Sequence, residues 1–351
     1  MKKIYNFVVV SFLSLIIANS FDSKNKTIYS CFINSNDETN LFLEQEEKNS
    51  SNISKFIKFD FTSRISTTIS YNFSSDTNGV KTIKGENNSS SNFISFPMDN
   101  CNNNTTFTDN RIITDVDDLK YYMPSAVCIV QTSFYREDIA GHGTGFVIGN
   151  NFILTAAHNI YNGKNFNLNA EVGFVLKNYT SNGQDITNHY EVKNAYFPMN
   201  FYNNYGYTDY DWAIIELDSS IDLVKKYGAL NIGSNYTLYN AYSTSSGYSR
   251  DFGDIKLTTS SAYGVMRSYD KKFDIYNYCN SIMSGGPLIY YYEDPITLEY
   301  NRICVGIISQ KVISKNSGSI IYSKACKITN NLIDLVNVIK GDSDIWNINY
   351  F

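Results

Sequence analysis

Gly143-Thr144-Gly145-Phe146-Val147-Ile148 and Phe152-Ile153-Leu154-Thr155-Ala156-Ala157-His158 are two short runs rich in β-branched and aromatic residues, the second ending on a histidine. Runs of this length and composition read as strands. Two further patterns follow. Tyr210-Asp211-Trp212-Ala213-Ile214-Ile215-Glu216-Leu217 sets an aspartate at the mouth of an apolar strand, and Ser284-Gly285-Gly286-Pro287-Leu288 sets a serine on a glycine-rich turn entering another. A serine hydroxyl is a poor nucleophile until a neighbouring base takes its proton. Histidine suits that task because its pKa lies near neutrality. A carboxylate on the far imidazole nitrogen holds the ring in the useful tautomer, and glycines after the serine allow a tight turn.

From about residue 111 onward, short strand-like runs recur between turn signals. Ala126–Gln131, Gly145–Ile148, Phe152–Ala156, Glu171–Leu176, Trp212–Leu217, Asp254–Thr258, Pro287–Tyr291 and Ile303–Ser309 all read as strands. Asn162-Gly163 and Asn182-Gly183 are strong turn formers. Many strands without interleaved helices predict an all-β sandwich or barrel. Lys327–Lys340 spaces Ile328, Leu332, Leu335, Val336 and Ile339 near a helical period, which predicts an amphipathic C-terminal helix whose stripe packs on the core.

The three patterns, in the order His158, Asp211, Ser284, resemble the trypsin-like serine peptidases of the chymotrypsin clan. Within the clan the chain looks most like the V8-like, glutamyl-endopeptidase group. Arg111-Ile112-Ile113-Thr114-Asp115 followed by Tyr122-Met123-Pro124 resembles that group's mature start, Gly247-Tyr248-Ser249 its Gly-Tyr-Pro loop, and Val305-Gly306-Ile307 the strand leading to its specificity pocket. The resemblance implies two six-stranded antiparallel β-barrels with the active site between them. It also implies a catalytic triad of His158, Asp211 and Ser284, an oxyanion hole from the backbone N–H groups of Ile282 and Ser284, and a pocket walled by Tyr278 and Cys279 on one side and by Ser309, Gln310 and Lys311 on the other.

Several positions depart from the family pattern. Ile282 stands where the family carries glycine, and a β-branched residue resists the backbone freedom that glycine has. Met283 replaces the Asp or Asn that precedes the serine, so an activating salt bridge to a new N-terminus has no partner there. Ile308 replaces the histidine of the glutamyl-specific enzymes, so glutamate specificity is not carried over, and Tyr278 is not the aspartate that selects Arg or Lys. Lys311, where many members have glycine, narrows the pocket, attracts an acidic side chain or lies solvated at the rim. The expected function is therefore a secreted serine endopeptidase. The alternative is a pseudoprotease, the same fold serving as a protein-binding module.

The chain has 351 residues, of which 43% are hydrophobic and 15% aromatic, with a net charge of −5. That is enough for a sizeable core and is not the composition of a disordered chain. The charge favours neither nucleic acid nor an anionic membrane. Lys2 and Lys3, the apolar run Phe7 to Ile17 and the small residues Ala18-Asn19-Ser20 read as a signal peptide over residues 1–20, with an N-terminal anchor as the alternative. Residues 21–110 are rich in Asn, Ser, Thr and Lys. They read as a poorly structured segment and candidate pro-segment, in which stretches such as Ile57–Phe61 form isolated strands. Sequons at Asn25, Asn72, Asn178 and Asn235 would accept glycans in a eukaryotic secretory route. The peptidase domain is expected over residues 111–351.

The six cysteines, Cys31, Cys101, Cys128, Cys279, Cys304 and Cys326, permit disulfides or serve as small buried residues. With three histidines and no HExxH or CxxC motif, no metal or other cofactor is expected. His142 reads as a loop histidine, His189 as the start of a strand, and Asp209 as a solvated loop carboxylate. Ser281 lacks the following Gly-Gly, and the tyrosines of Tyr202–Tyr210 and Tyr290–Tyr292 read as half-buried strand and loop aromatics. The expected partners are polypeptide substrates, with no nucleic acid and no stable membrane insertion.

Overall fold

A computed structural model describes residues 53–73, 81–83, 107, 109–114, 122–132, 141–180, 183–236, 238, 242–252, 255–293 and 300–341. The signal-peptide reading of residues 1–20, the sequon at Asn25, the turn residue Asn182, and Cys31 and Cys101 lie outside them. The described chain forms two sheets, of nine and ten strands, antiparallel apart from one short parallel pairing of Ile232 with Cys304. Each sheet exceeds the six strands expected, in part because strands from residues 53–113 join both. No helix among the described residues is long and apolar enough to cross a membrane.

The first sheet is organised around Phe152–Thr155, whose four side chains are all buried. An apolar β-branched run with no polar face suits a central strand. It lies between Gly141–Gly149 and Ala213–Glu216. The antiparallel register with the latter pairs Ala213 with Thr155. The end of one strand and the start of the other therefore meet at one edge, where His158 leaves the sheet and Asp211 enters it.

The second sheet is built on Pro287–Glu293, paired with Tyr242–Ser249 on one side and Tyr300–Ile313 on the other. Its register pairs Pro287 with Ile307, which brings the turn at Ser284 against Ile308–Gln310. Tyr242–Ser249 is a central strand that its polar sequence hides. Its hydroxyls find partners on other segments: Ser243 bonds Asn277 at 3.2 Å and Ser246 bonds Thr259 at 3.1 Å. Gly247-Tyr248-Ser249, expected as a loop, closes this strand. The C-terminal helix begins at Asn330 because Thr329 caps it, accepting from the Leu332 N–H at 3.4 Å, and it ends where Gly341 turns left-handed. Lys327, placed in the helix by its periodicity, completes the Ile320–Lys327 strand instead.

Upstream chain belongs to this body. Ile53–Asp60 and Ile65–Asn72 form a hairpin whose first strand pairs with Asn194–Pro198 at the edge of the first sheet. The strand read at Ile57–Phe61 is therefore real, and it is not isolated. Phe56 is buried and packs its ring 5.9 Å from that of Trp212, the residue after Asp211. Thr82–Ile83 pairs with Ile232–Gly233, and Lys81 reaches Asp334 of the C-terminal helix at 2.8 Å. Ile112–Ile113 pairs with Thr258–Thr259 of the second sheet.

The four described cysteines are free thiols in the core. Burial pushes Cys279 up to about 11 and Cys304 up to about 12, and raises Cys128 and Cys326 as well.

Two measurements check this packing. Phe56→Ala is expected to lower unfolding stability by about 3–5 kcal/mol. Ile65→Ala, on the exposed part of the same hairpin, changes it by no more than about 0.5 kcal/mol. Iodoacetamide at pH 8 should leave Cys128, Cys279, Cys304 and Cys326 unmodified in the native protein and alkylate all of them in denaturant, read by peptide mass.

Candidate active site

The run Ala156-Ala157-His158 leaves the central strand as a single 3-10 turn over Ala157–Asn159, all three residues buried. Asp211 ends a second such turn, Thr208–Tyr210, with its N–H donating to the Thr208 carbonyl at 3.2 Å. Its carboxylate holds His158 twice. Oδ1 accepts the His158 backbone N–H at 3.0 Å, and Oδ2 lies 2.8 Å from Nδ1. Oδ2 also accepts from the Ser309 hydroxyl. A carboxylate buried this fully needs such donors, since an unpaired buried charge is costly.

Ser284 reaches this edge from the other sheet. Its carbonyl accepts from the Thr144 N–H at 2.8 Å and from Asn159 Nδ2 at 3.1 Å. Thr144 belongs to the Gly141–Gly149 strand and Asn159 follows His158, so both bonds tie the serine to the histidine's side of the seam. The Ser284 hydroxyl donates to the Ser309 carbonyl at 3.1 Å. Gly285 takes φ +93°, a conformation open to glycine, and a Cβ there would lie 2.0 Å from the Thr144 carbonyl oxygen. At Gly286 a Cβ would meet the Ser246 carbonyl oxygen at 2.1 Å. The Gly-Gly pair is required by closeness as well as by turn geometry.

The residues before Ser284 form a 3-10 turn, Ser281–Met283. The Met283 N–H donates to the Asn280 carbonyl at 2.9 Å, and the Ile282 carbonyl accepts from Thr144 Oγ1 at 2.7 Å. The Ile282 and Met283 side chains are both buried in core clusters.

The expected pocket residues differ in what they touch. Ser309 touches both Ser284 and Asp211, as above. Gln310 Nε2 donates to the Gly206 carbonyl at 2.9 Å, and Lys311 Nζ donates to Asn280 Oδ1 at 2.6 Å. Cys279 turns into the core, and its N–H donates to Ser323 Oγ at 3.2 Å. Tyr278 is half-buried between the Phe107 ring, stacked at 5.4 Å, and the Arg111 guanidinium, 4.6 Å from its ring centre.

Asn159, Thr144 and Arg111 are site residues that motif reasoning passed over as functional groups. Asn159 bears only the local signal of adjacency to His158. Arg111 entered as part of a sequence likeness, yet its side chain is buried. It pairs with Asp109 and Asp251, each at 2.6 Å, and donates to Ser249 Oγ at 2.9 Å. Burial alone would lower its pKa, and the two carboxylates more than offset that and raise it above the ordinary value.

Among the residues set aside, Asp209 ion-pairs with Lys272 at 3.0 Å, and His189 sits within the Gly183–Glu191 strand, 3.6 Å from Glu171. His142, expected in a loop, is part of the Gly141–Gly149 strand, with the Arg250 guanidinium 3.0 Å from Nδ1. Burial, aided by Arg250, lowers its pKa to about 4, from an ordinary 6.5.

Because the folded state resists protonating His142, its contribution to stability is whole above pH 6.5 and is lost as pH falls from there to about 4. His142→Gln should flatten the fall in melting temperature across that window, measured by thermal denaturation at pH 7.5 and pH 4.5.

The Trypsin family model matches residues 122–332, more than half of the chain. Among solved structures, a Glu endopeptidase is 21% identical, with a TM-score of 0.50, over 67% of this chain and 99% of that one. At that identity the likeness concerns the fold, which is of chymotrypsin type. The protease Anisep from Arthrobacter nicotinovorans is 14% identical over 62% of this chain and 96% of its own, with a TM-score of 0.45. No curated protein sequence matches the chain. The family match spans the strands that carry His158, Asp211 and Ser284, and the chain belongs to the trypsin family of serine peptidases.

Proposed function

We propose that the protein is an exported serine endopeptidase that hydrolyses peptide bonds through Ser284, His158 and Asp211. The observation that carries this is the double hold of Asp211 on His158, at the backbone N–H and at Nδ1, on the edge where Ser284 is tied down. With Nδ1–H donated to Asp211, Nε2 is left to accept a proton. Rotation about χ1 redirects the Ser284 hydroxyl from the Ser309 carbonyl to the imidazole. The oxygen then attacks the scissile carbonyl and His158 takes its proton. Asp211 steadies the imidazolium, which next protonates the leaving amine. Water repeats the sequence in reverse on the acyl-enzyme.

The developing oxyanion needs the N–H groups of Ile282 and Ser284 directed at one point, and loss of one donor costs about 10²–10³ in kcat. A 3-10 turn directs its N–H groups back toward preceding carbonyls. Within the Ser281–Met283 turn the Met283 N–H is committed to the Asn280 carbonyl, so the shape of this turn decides whether the Ile282 N–H shares a target with that of Ser284. That turn, with Ile282 in place of glycine, favours a second reading, in which the fold binds polypeptides without cleaving them.

A fluorophosphonate probe separates the two. Wild-type protein is expected to gain one covalent phosphonyl group by intact mass and Ser284→Ala to gain none. Failure of the folded wild type to label, after exposure to maturation proteases as well, would sink the enzyme and leave the binding module.

A further inference from the structure

Arg111 is a buried cation outside the family-matched region, and it is linked to the nucleophile turn by a continuous set of contacts. Its guanidinium pairs with Asp251 at 2.6 Å, and the same Asp251 Oδ2 accepts from Asn280 Nδ2. Asn280 opens the turn that leads to Ser284: its carbonyl accepts the Met283 N–H at 2.9 Å, and its N–H lies 3.4 Å from Met283 Sδ. From the other wall, Lys311 Nζ donates to Asn280 Oδ1 at 2.6 Å. Met283 carries no charge, so no ion pair holds the turn from within. Arg111 is itself held from several sides, by Asp109, by Ser249 and by the faces of Tyr278 and Phe252. A planar guanidinium gripping two carboxylates is far stiffer than a single surface pair, and its burial limits screening.

We propose that Arg111 is a positioning residue that holds the turn ahead of Ser284 through Asp251 and Asn280. The proposal rests on the reading of Ser284 as the nucleophile. It makes Arg111, which lies outside the family-matched region, part of the working unit. Asp251 transmits the hold and Asp109 only anchors the arginine. The two carboxylates are similarly exposed, at 39% and 42%, and both pair with Arg111, but only Asp251 touches Asn280.

That asymmetry supplies the test, made on the full chain. Hydrogen exchange of the peptide spanning Cys279–Gly286 and the rate of fluorophosphonate modification are compared in wild type, Asp251→Ala and Asp109→Ala. Asp251→Ala is expected to speed exchange in that peptide about tenfold and to slow modification by a similar factor. Asp109→Ala should leave both within about twofold, and exchange in Phe152–Thr155 should not change in either variant. Adding Arg111→Met to Asp251→Ala should give no further acceleration, since both act along one route. Equal effects of Asp109→Ala and Asp251→Ala, an unchanged turn in Asp251→Ala, or additive effects of Arg111→Met would each overturn the proposal. A wild type that takes up no probe would count against the Ser284 reading, while the exchange comparison would still decide for or against the clamp.

Discussion

Thr144 locks the two sheets together, and the site depends on that lock. Its N–H donates to the Ser284 carbonyl, its hydroxyl donates to the Ile282 carbonyl and accepts from the Tyr248 N–H, and its carbonyl accepts from the Thr155 hydroxyl. Every polar group of one wholly buried residue is used, on partners from both sheets. Unmade bonds at such a place would cost their full desolvation, so the geometry is over-determined. Asn159 repeats the arrangement, bonding Thr155 on its own side and Ser284 on the other.

The family-matched region does not stand alone. A hairpin from residues 53–72 extends the first sheet, and Phe56 covers the Trp212 ring beside Asp211. Ile112–Ile113 pairs with the second sheet, and Phe107 and Arg111 enclose Tyr278. Upstream chain thus buttresses both halves of the site. On the first sheet the support is apolar burial. On the second it is a charge held between carboxylates and rings, which is more sensitive to what those carboxylates touch.

Much of this was legible beforehand. The runs at Phe152–Thr155, Ala213–Glu216 and Pro287–Glu293 announce themselves because each carries consecutive apolar residues, and the C-terminal helix does so through its period. Tyr242–Ser249 stayed hidden, since Ser, Thr and Gly carry no hydrophobic signal and their hydroxyls are satisfied only by neighbours distant in sequence. The 53–72 hairpin was half-visible at Ile57–Phe61, but its pairing with Asn194–Pro198 leaves no mark in local composition. The cysteines illustrate the same gap: spacing permitted bridges, while the fold buries the four described ones singly.

By itself the sequence determined the residue types and their order: a histidine after one apolar strand, an aspartate before another, a serine on a Gly-Gly turn. Local patterning suffices there, because strand propensity and glycine's freedom act over a few residues. The tertiary structure alone decided the register that puts Thr155 opposite Ala213, the direction of the Ile282 carbonyl toward Thr144, and the burial of Arg111 between Asp109 and Asp251. Those outcomes hang on contacts between segments far apart in the chain. Hydrogen bonds and buried charges are made or lost by distances of a few tenths of an ångström, a scale on which one-dimensional patterns carry no information.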